Sequence, residues 1–142
     1  MTSDAVALAA IVILLFPTGY FFLASPAFLL VKLDIPPVTQ LLRGMFNVQF
    51  VMLGIAGTIG TVAFALARKL AFALGIALVA AFAIWGRRWF MQEMDAQLRA
   101  RDAGDSDAVR RLRRLHWSGM LVNAILLFAI VGSIPYMAGA QA

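Results

Sequence analysis

The fold of this chain is decided by residues 45–88, MFNVQFVMLGIAGTIGTVAFALARKLAFALGIALVAAFAIWGRR, where only Arg68 and Lys69 separate two apolar runs. A helix needs about 20 mostly apolar residues to cross a bilayer, because every backbone polar group must be satisfied internally in lipid. Residues 45–67 and 70–88 therefore predict two transmembrane helices. The two-residue connection predicts that they form a tight antiparallel hairpin.

Two further apolar runs flank this hairpin. Residues 6–31 predict one helix that is kinked near a proline, and we expect a membrane span rather than a secretory signal, since no Lys or Arg precedes the run. Asp34-Ile35-Pro36-Pro37 ends that helix, and a helix that restarts at Thr39 becomes the second span. Residues 117–137 form the fourth predicted span.

The longest polar stretch, residues 89–116, is predicted to continue the two neighbouring membrane helices into the cytoplasm as a helical hairpin. Apolar residues recur at helical spacing on both sides of a break at Gly104. These residues are Met91, Met94 and Leu98 before the break, and Val109, Leu112 and Leu115 after it.

Composition agrees with a membrane protein. The chain is 63% hydrophobic and 13% charged, against about 45–50% and about 25% in soluble domains. Its mean hydropathy is +0.89. We therefore predict an all-α protein with a single integral membrane domain, residues 1–142, built as a four-helix transmembrane bundle of up-down-up-down topology.

The basic residues predict the orientation. In a four-span topology, ten of the twelve lysines and arginines lie on the side of the polar stretch. The positive-inside rule then places this arginine-rich loop in the cytoplasm and both termini outside, in a bacterial cytoplasmic (inner) membrane. Trp85, Trp89 and Trp117 lie at the ends of the spans nearest this loop, as expected of an interfacial aromatic belt.

The candidate site is centred on His116, the single histidine. Asn123 follows on the same helical face, while Arg43 and Asn47 enter the membrane from the same side, with Gln49 nearby. If spans two and four pack together, these groups form a polar cluster covered by Trp117. One interpretation is a headgroup or quinone site; the other is that His116 lies among headgroups and the asparagines form interhelical hydrogen bonds, worth about 0.6–2 kcal/mol each.

Metal and cofactor chemistry is restricted by composition. With no cysteine and one histidine, the chain lacks thiolate ligands and cannot supply two histidines to a haem. We predict no metal site and no resident cofactor, and quinone or haem stays open as an alternative. The basic residues lie next to apolar spans, so lipid headgroups are the expected partner and nucleic acid is not.

Two sets of residues predict contact surfaces. Gly54, Gly57 and Gly60 give the second span a face of small residues, which predicts close helix packing, within the bundle or against another protein. A basic cluster before the fourth span predicts a solvated, lipid-facing edge or a docking site for an acidic partner. It comprises Arg110, Arg111, Arg113 and Arg114.

Two segments carry a family resemblance: Ser25-Pro26-Ala27-Phe28, and LRRLHWSGMLVN at residues 112–123. They resemble an uncharacterised family of four-helix integral membrane proteins in many bacteria, with a eukaryotic relative linked to cisplatin resistance. In that family's pattern a serine follows the histidine by three positions, where this chain has Gly119. The resemblance implies a four-helix bundle without an established enzymatic activity, and carries over only His116 and Asn123 as site residues.

The sequence favours a non-catalytic function. We expect an accessory or assembly subunit that packs against a larger membrane complex, such as an electron-transport or photosynthetic complex, since no catalytic constellation is present. The alternative is a membrane oxidoreductase subunit that binds quinone or haem near His116. A small transport or permeation protein is the third hypothesis, weakened because the apolar parts of the spans contain no Asp, Glu, Lys, Arg or His.

Overall fold

The computed structural model describes residues 3–138, and the regular structure within them is entirely helical. A short 3₁₀ helix, Ser25–Leu29, follows the first of four α-helices. The α-helices are α1 (Ser3–Ala24), α2 (Pro36–Leu66), α3 (Leu70–Asp102) and α4 (Ala108–Ala138). All four are long and apolar enough to cross a membrane. The predicted all-α class and four candidate spans are confirmed, while the chain ends whose side was predicted lie outside the described residues.

The connection between α1 and α2 differs from the expectation of one helix over residues 6–31. Pro17 lies inside α1, but the α-helix ends at Ala24. Pro26 has no N–H to donate, and the chain tightens there into the 3₁₀ turn. The second helix begins at Pro36 rather than at Thr39, because proline is well suited to the first helical position.

The two tight turns, α2–α3 and α3–α4, have the same geometry. In each, three backbone N–H groups beyond the helix donate to its last carbonyl groups, and the residue after the cap has a positive φ. That residue is Arg68 (φ 56°) after α2 and Gly104 (φ 94°) after α3. The predicted break at Gly104 is thus confirmed, and a second turn of the same kind uses an arginine where glycine is usual.

The buried interior has two parts. The aromatic core comprises Phe21, Leu33, Leu42, Phe46, Phe90, Met91, Met94, Leu112 and Leu115. The alanine-rich core comprises Ala7, Ala10, Ile11, Ala63, Phe64 and Ala73, continued by Leu14, Leu53, Ala56 and Ala83. The helical faces predicted on both sides of Gly104 meet in the aromatic core. Contact is most extensive between α2 and α3, and α1 packs against both α2 and α4.

Candidate functional site

His116 is fully buried on α4 and contacts Ser25, the first residue of the 3₁₀ helix. Its Nε2 lies 2.9 Å from Ser25 Oγ and 3.1 Å from the Ser25 carbonyl oxygen. Because a carbonyl can only accept, the bond to it assigns the ring proton to Nε2. Nδ1 is then an acceptor, and it has no hydrogen-bond partner among the described residues.

Aromatic rings and an arginine enclose this pair. The rings of Phe28 and Phe46 lie edge-on to the imidazole, with centroids 6.2 Å and 6.0 Å away. Arg113 donates to the carbonyl oxygens of Phe28, at 2.5 Å, and Val31, at 2.7 Å. These carbonyls lie at the end of the 3₁₀ turn, where the helix leaves acceptors unpaired. Arg113 therefore fixes the segment that carries Ser25, and does not lie on a free basic edge.

Asn123 belongs to a second polar group, an amide pair with Gln49. Gln49 Nε2 donates to Asn123 Oδ1 at 2.9 Å, and Asn123 Nδ2 donates to the Thr18 carbonyl oxygen at 3.0 Å. Thr18 Oγ1 in turn donates to the carbonyl of Leu14 at 3.0 Å within its own helix. The amide pair joins α1, α2 and α4 through buried hydrogen bonds.

Arg43 and Asn47 bond elsewhere than in the predicted cluster. Arg43 makes a two-point contact with Asp95, with Nε–Oδ1 and Nη2–Oδ2 distances of 2.6 Å and 2.9 Å. Asn47 Oδ1 accepts a 2.8 Å hydrogen bond from Arg87 Nε. Both bonds link α2 to α3, whereas His116 is bonded to Ser25 in the 3₁₀ helix. Of the residues expected in one cluster, Asn123 and Gln49 meet, whereas Arg43, Asn47 and His116 bond elsewhere.

The tryptophans do not cover the histidine. Trp117 and Trp89 are 55% and 62% exposed, so both indole rings lie largely at the outer surface. The other three arginines of the basic cluster also differ from one another. Arg110 and Arg114 are exposed, whereas Arg111 hydrogen-bonds Gln97 and Asp105 across the α3–α4 turn. The exposed members that can meet lipid or a partner are Arg114 and Arg110, and Arg110 also pairs with Asp107 at 3.4 Å.

The glycine face of α2 meets α3 within the bundle. A Cβ on Gly57 would lie 2.9 Å from Ala80 Cβ and 3.2 Å from Ala80 Cα. A Cβ on Gly60 would lie 3.2 Å from Ile76. Gly54 has more room, with a neighbouring atom of Ile84 at 3.7 Å. Gly57 and Gly60 thus make packing contacts within the bundle, while Gly54 borders an open surface.

Sequence reasoning placed Gln49 near the expected cluster, but it gave no role to two participants, the Ser25 hydroxyl and the Thr18 carbonyl. The available signal was a threonine and a serine inside the first apolar run, since polar side chains there are expected to be hydrogen-bonded. Comparisons with protein-family models, curated proteins and solved structures found no match.

Proposed function

We propose that this chain is a small, non-catalytic accessory or assembly subunit that packs against another transmembrane protein. The observation that carries the proposal is an open groove of about 440 Å³ along the outer faces of α2 and α3. Its walls include Gly54, Thr58 and Ala83. Small residues allow transmembrane helices to approach closely, so the groove has the composition of a helix-docking surface.

The geometry of the groove suits a helix of a partner. Gly54 and Thr58 are one helical turn apart, which is the small-xxx-small spacing of membrane helix contacts. Thr58 Oγ1 donates to the Gly54 carbonyl at 2.8 Å, so its hydroxyl is already satisfied before a partner binds. Ile55 and Ile59, 54% and 49% exposed, add apolar contact area.

We place the arginine-rich end in the cytoplasm of a bacterial cell, with up-down-up-down helices and both termini outside. The α3 helix has 33 residues, hence a length of about 50 Å, against a hydrocarbon core of about 30 Å. Its arginine-bearing end, with the start of α4, would therefore extend beyond the bilayer. The excess of basic residues at this end supports the orientation.

The test fills the groove with one large side chain. We expect Thr58→Trp to remove a stoichiometric partner when the tagged protein is purified from native membranes in mild detergent and its particle mass and co-purifying polypeptides are recorded. Ile125→Trp is the matched control, because Ile125 is 60% exposed on α4 and does not line the groove. The control should retain the partner.

Two outcomes would contradict this function. One is a small particle of the unmodified protein without any partner; the other is a Thr58→Trp protein that keeps its partner. Retention of the partner by His116→Ala would support the accessory function, whereas loss of a bound chromophore or quinone on that change would favour a redox site.

The redox alternative at His116 stays a prediction, and its requirements are now defined. A haem iron or quinone would have to reach an imidazole that is fully buried and whose Nε2 is held by Ser25. Opening this contact would require the 3₁₀ turn to move. The transport hypothesis likewise stays a prediction, and absence of flux in reconstituted liposomes would count against it.

A further inference from the structure

A second groove, between α3 and α4, has six aromatic residues in its walls. Its volume is about 270 Å³, and it is open toward the side of the bundle. Phe50, Phe82 and Trp89 contribute rings to its walls, and the Gln49–Asn123 amide pair borders it. An apolar pocket with a few convergent polar groups is the usual form of a small-molecule site.

The volume and lining indicate the size of an occupant. An apolar cavity of about 150 Å³ is large enough to hold benzene, so 270 Å³ accommodates one substituted ring. Aromatic walls favour another ring in an offset or edge-on arrangement. The open side would let an alkyl or isoprenoid tail pass out among lipid chains.

The hydrogen bonds of the amide pair fix which of its atoms remains available. Asn123 Nδ2 must face Thr18, because the Thr18 carbonyl can only accept. Asn123 Oδ1 then faces Gln49, which must present its NH₂ group. A flip of either amide would bring two acceptors or two donors together, so the assignment follows from the backbone carbonyl.

Gln49 Oε1 is therefore the atom of the pair without any hydrogen-bond partner among the described residues. This oxygen is accessible at the surface of the protein, whereas His116 Nδ1 is buried. A ligand hydroxyl can donate to Oε1 and can also accept a spare amide N–H. A ligand carbonyl or ether can only accept, and would leave Oε1 unpaired.

From this geometry we infer that the α3–α4 groove binds a single-ring membrane-soluble phenol or hydroquinone, whose ring hydroxyl donates to Gln49 Oε1. The ring packs among Phe50, Phe82 and Trp89, and the tail leaves through the open side. His116 does not line this groove, and Phe50 is the one lining residue shared with the α2–α3 groove, so the inference does not depend on the accessory function.

The test uses a bromine-bearing 4-nonylphenol and its methyl ether, which has the same ring and tail but no donor. The protein keeps Trp89 as its sole tryptophan through Trp85→Phe and Trp117→Phe, and is reconstituted in nanodiscs. We expect saturable quenching of Trp89 fluorescence by the phenol. The ether should bind about fivefold more weakly, as expected for the loss of one net hydrogen bond.

Two matched glycine substitutions locate the ligand. Gly86→Leu fills the α3–α4 groove, and Gly44→Leu fills the groove between α1 and α2, which Gln49 also borders. We expect Gly86→Leu to abolish saturable quenching and Gly44→Leu to preserve it. Gly86→Ala should retain binding, because its Cβ would lie in ordinary contact, 3.6 Å from Phe50 and Phe82.

Three results would overturn the inference. Equal affinity for the phenol and the ether would show that the ring hydroxyl makes no hydrogen bond in the groove. Quenching that rises without saturation would indicate partition into the bilayer only. Loss of binding in Gly44→Leu with retention in Gly86→Leu would place the ligand between α1 and α2.

Discussion

The aromatic core and the alanine-rich core join the same four helices in two different ways. In the aromatic core, Phe46 packs against Phe21 and Phe90 with ring centroids 4.9 Å and 4.5 Å apart. Toward the alanine-rich core, Gly57 faces the backbone of Ala80 directly. One region separates its helices with large rings, and the other brings two helix backbones together.

This difference follows from the physics of a bilayer. Lipid tails are as apolar as leucine, so helices gain little from burying large apolar side chains and associate through close packing and hydrogen bonds. The α2–α3 contact uses close packing. The aromatic core leaves space between helices and adds polar bonds, such as Ser25–His116 and the Arg113 contacts with the 3₁₀ turn. The same kind of substitution should therefore change the free energy of unfolding by different amounts in the two regions.

The largest effect is expected from Gly57→Ala. The added methyl would lie 2.9 Å from Ala80 Cβ and 3.2–3.3 Å from Ala80 backbone atoms, so two helices must separate. We expect a loss of about 3 kcal/mol in the free energy of unfolding, the upper end for overpacking. Unfolding by SDS titration from mild detergent measures this loss.

Two further proteins control that result. Gly75→Ala, whose Cβ would meet nothing within 4 Å, should be neutral or slightly stabilising. Ala80→Gly should rescue Gly57→Ala only in part, because the contacts with the Ala80 backbone remain. A Gly57→Ala protein as stable as the unmodified one would mean that α2 and α3 are not in close contact.

A smaller effect, about 2 kcal/mol, is expected from Gly119→Ala in the aromatic core. Its Cβ would clash with the outer edge of the Phe46 ring, which is the end of a side chain rather than backbone. Phe46→Leu should therefore recover most of the lost stability in the double variant, measured in the same titration. If the two losses simply add, the aromatic core is as rigid as the α2–α3 contact, and the comparison between the two regions fails.

Sequence reasoning succeeded where one segment contains the whole signal. The apolar runs predicted four helices, and Gly104, a residue type that readily adopts a positive φ, predicted a turn. The prediction of the site required knowing which helices are in contact. The spacing of residues along one helix does not indicate which other helix it packs against. Thus His116 and Asn123 were correctly predicted on one face, but nothing in the sequence indicated that Arg43 would bond Asp95.

The resemblance identified Gly119 as a departure from a serine, and the structure supplies a physical reason for glycine. Phe46 occupies the space that a side chain at this position would need. A glycine in an apolar span gives no warning of such a contact, because the ring lies 73 residues away in sequence. A steric clash of this kind can be recognised only when the packing of α2 against α4 is known.

The smallest expected effect concerns the two turns, one at each core. Arg68, beside the alanine-rich core, has the positive φ that Gly104 has beside the aromatic core. A left-handed conformation costs an L-residue about 1–2 kcal/mol, and replacing that residue by glycine removes this cost. Part of the stabilisation is lost again, because glycine has a larger conformational entropy in the unfolded state. We expect Arg68→Gly to stabilise the protein by about 0.5–1 kcal/mol and Gly104→Ala to destabilise it by about 1 kcal/mol. Thermal midpoints in detergent would measure both, and a destabilised Arg68→Gly protein would show that the arginine side chain, not the turn geometry, holds α2 to α3.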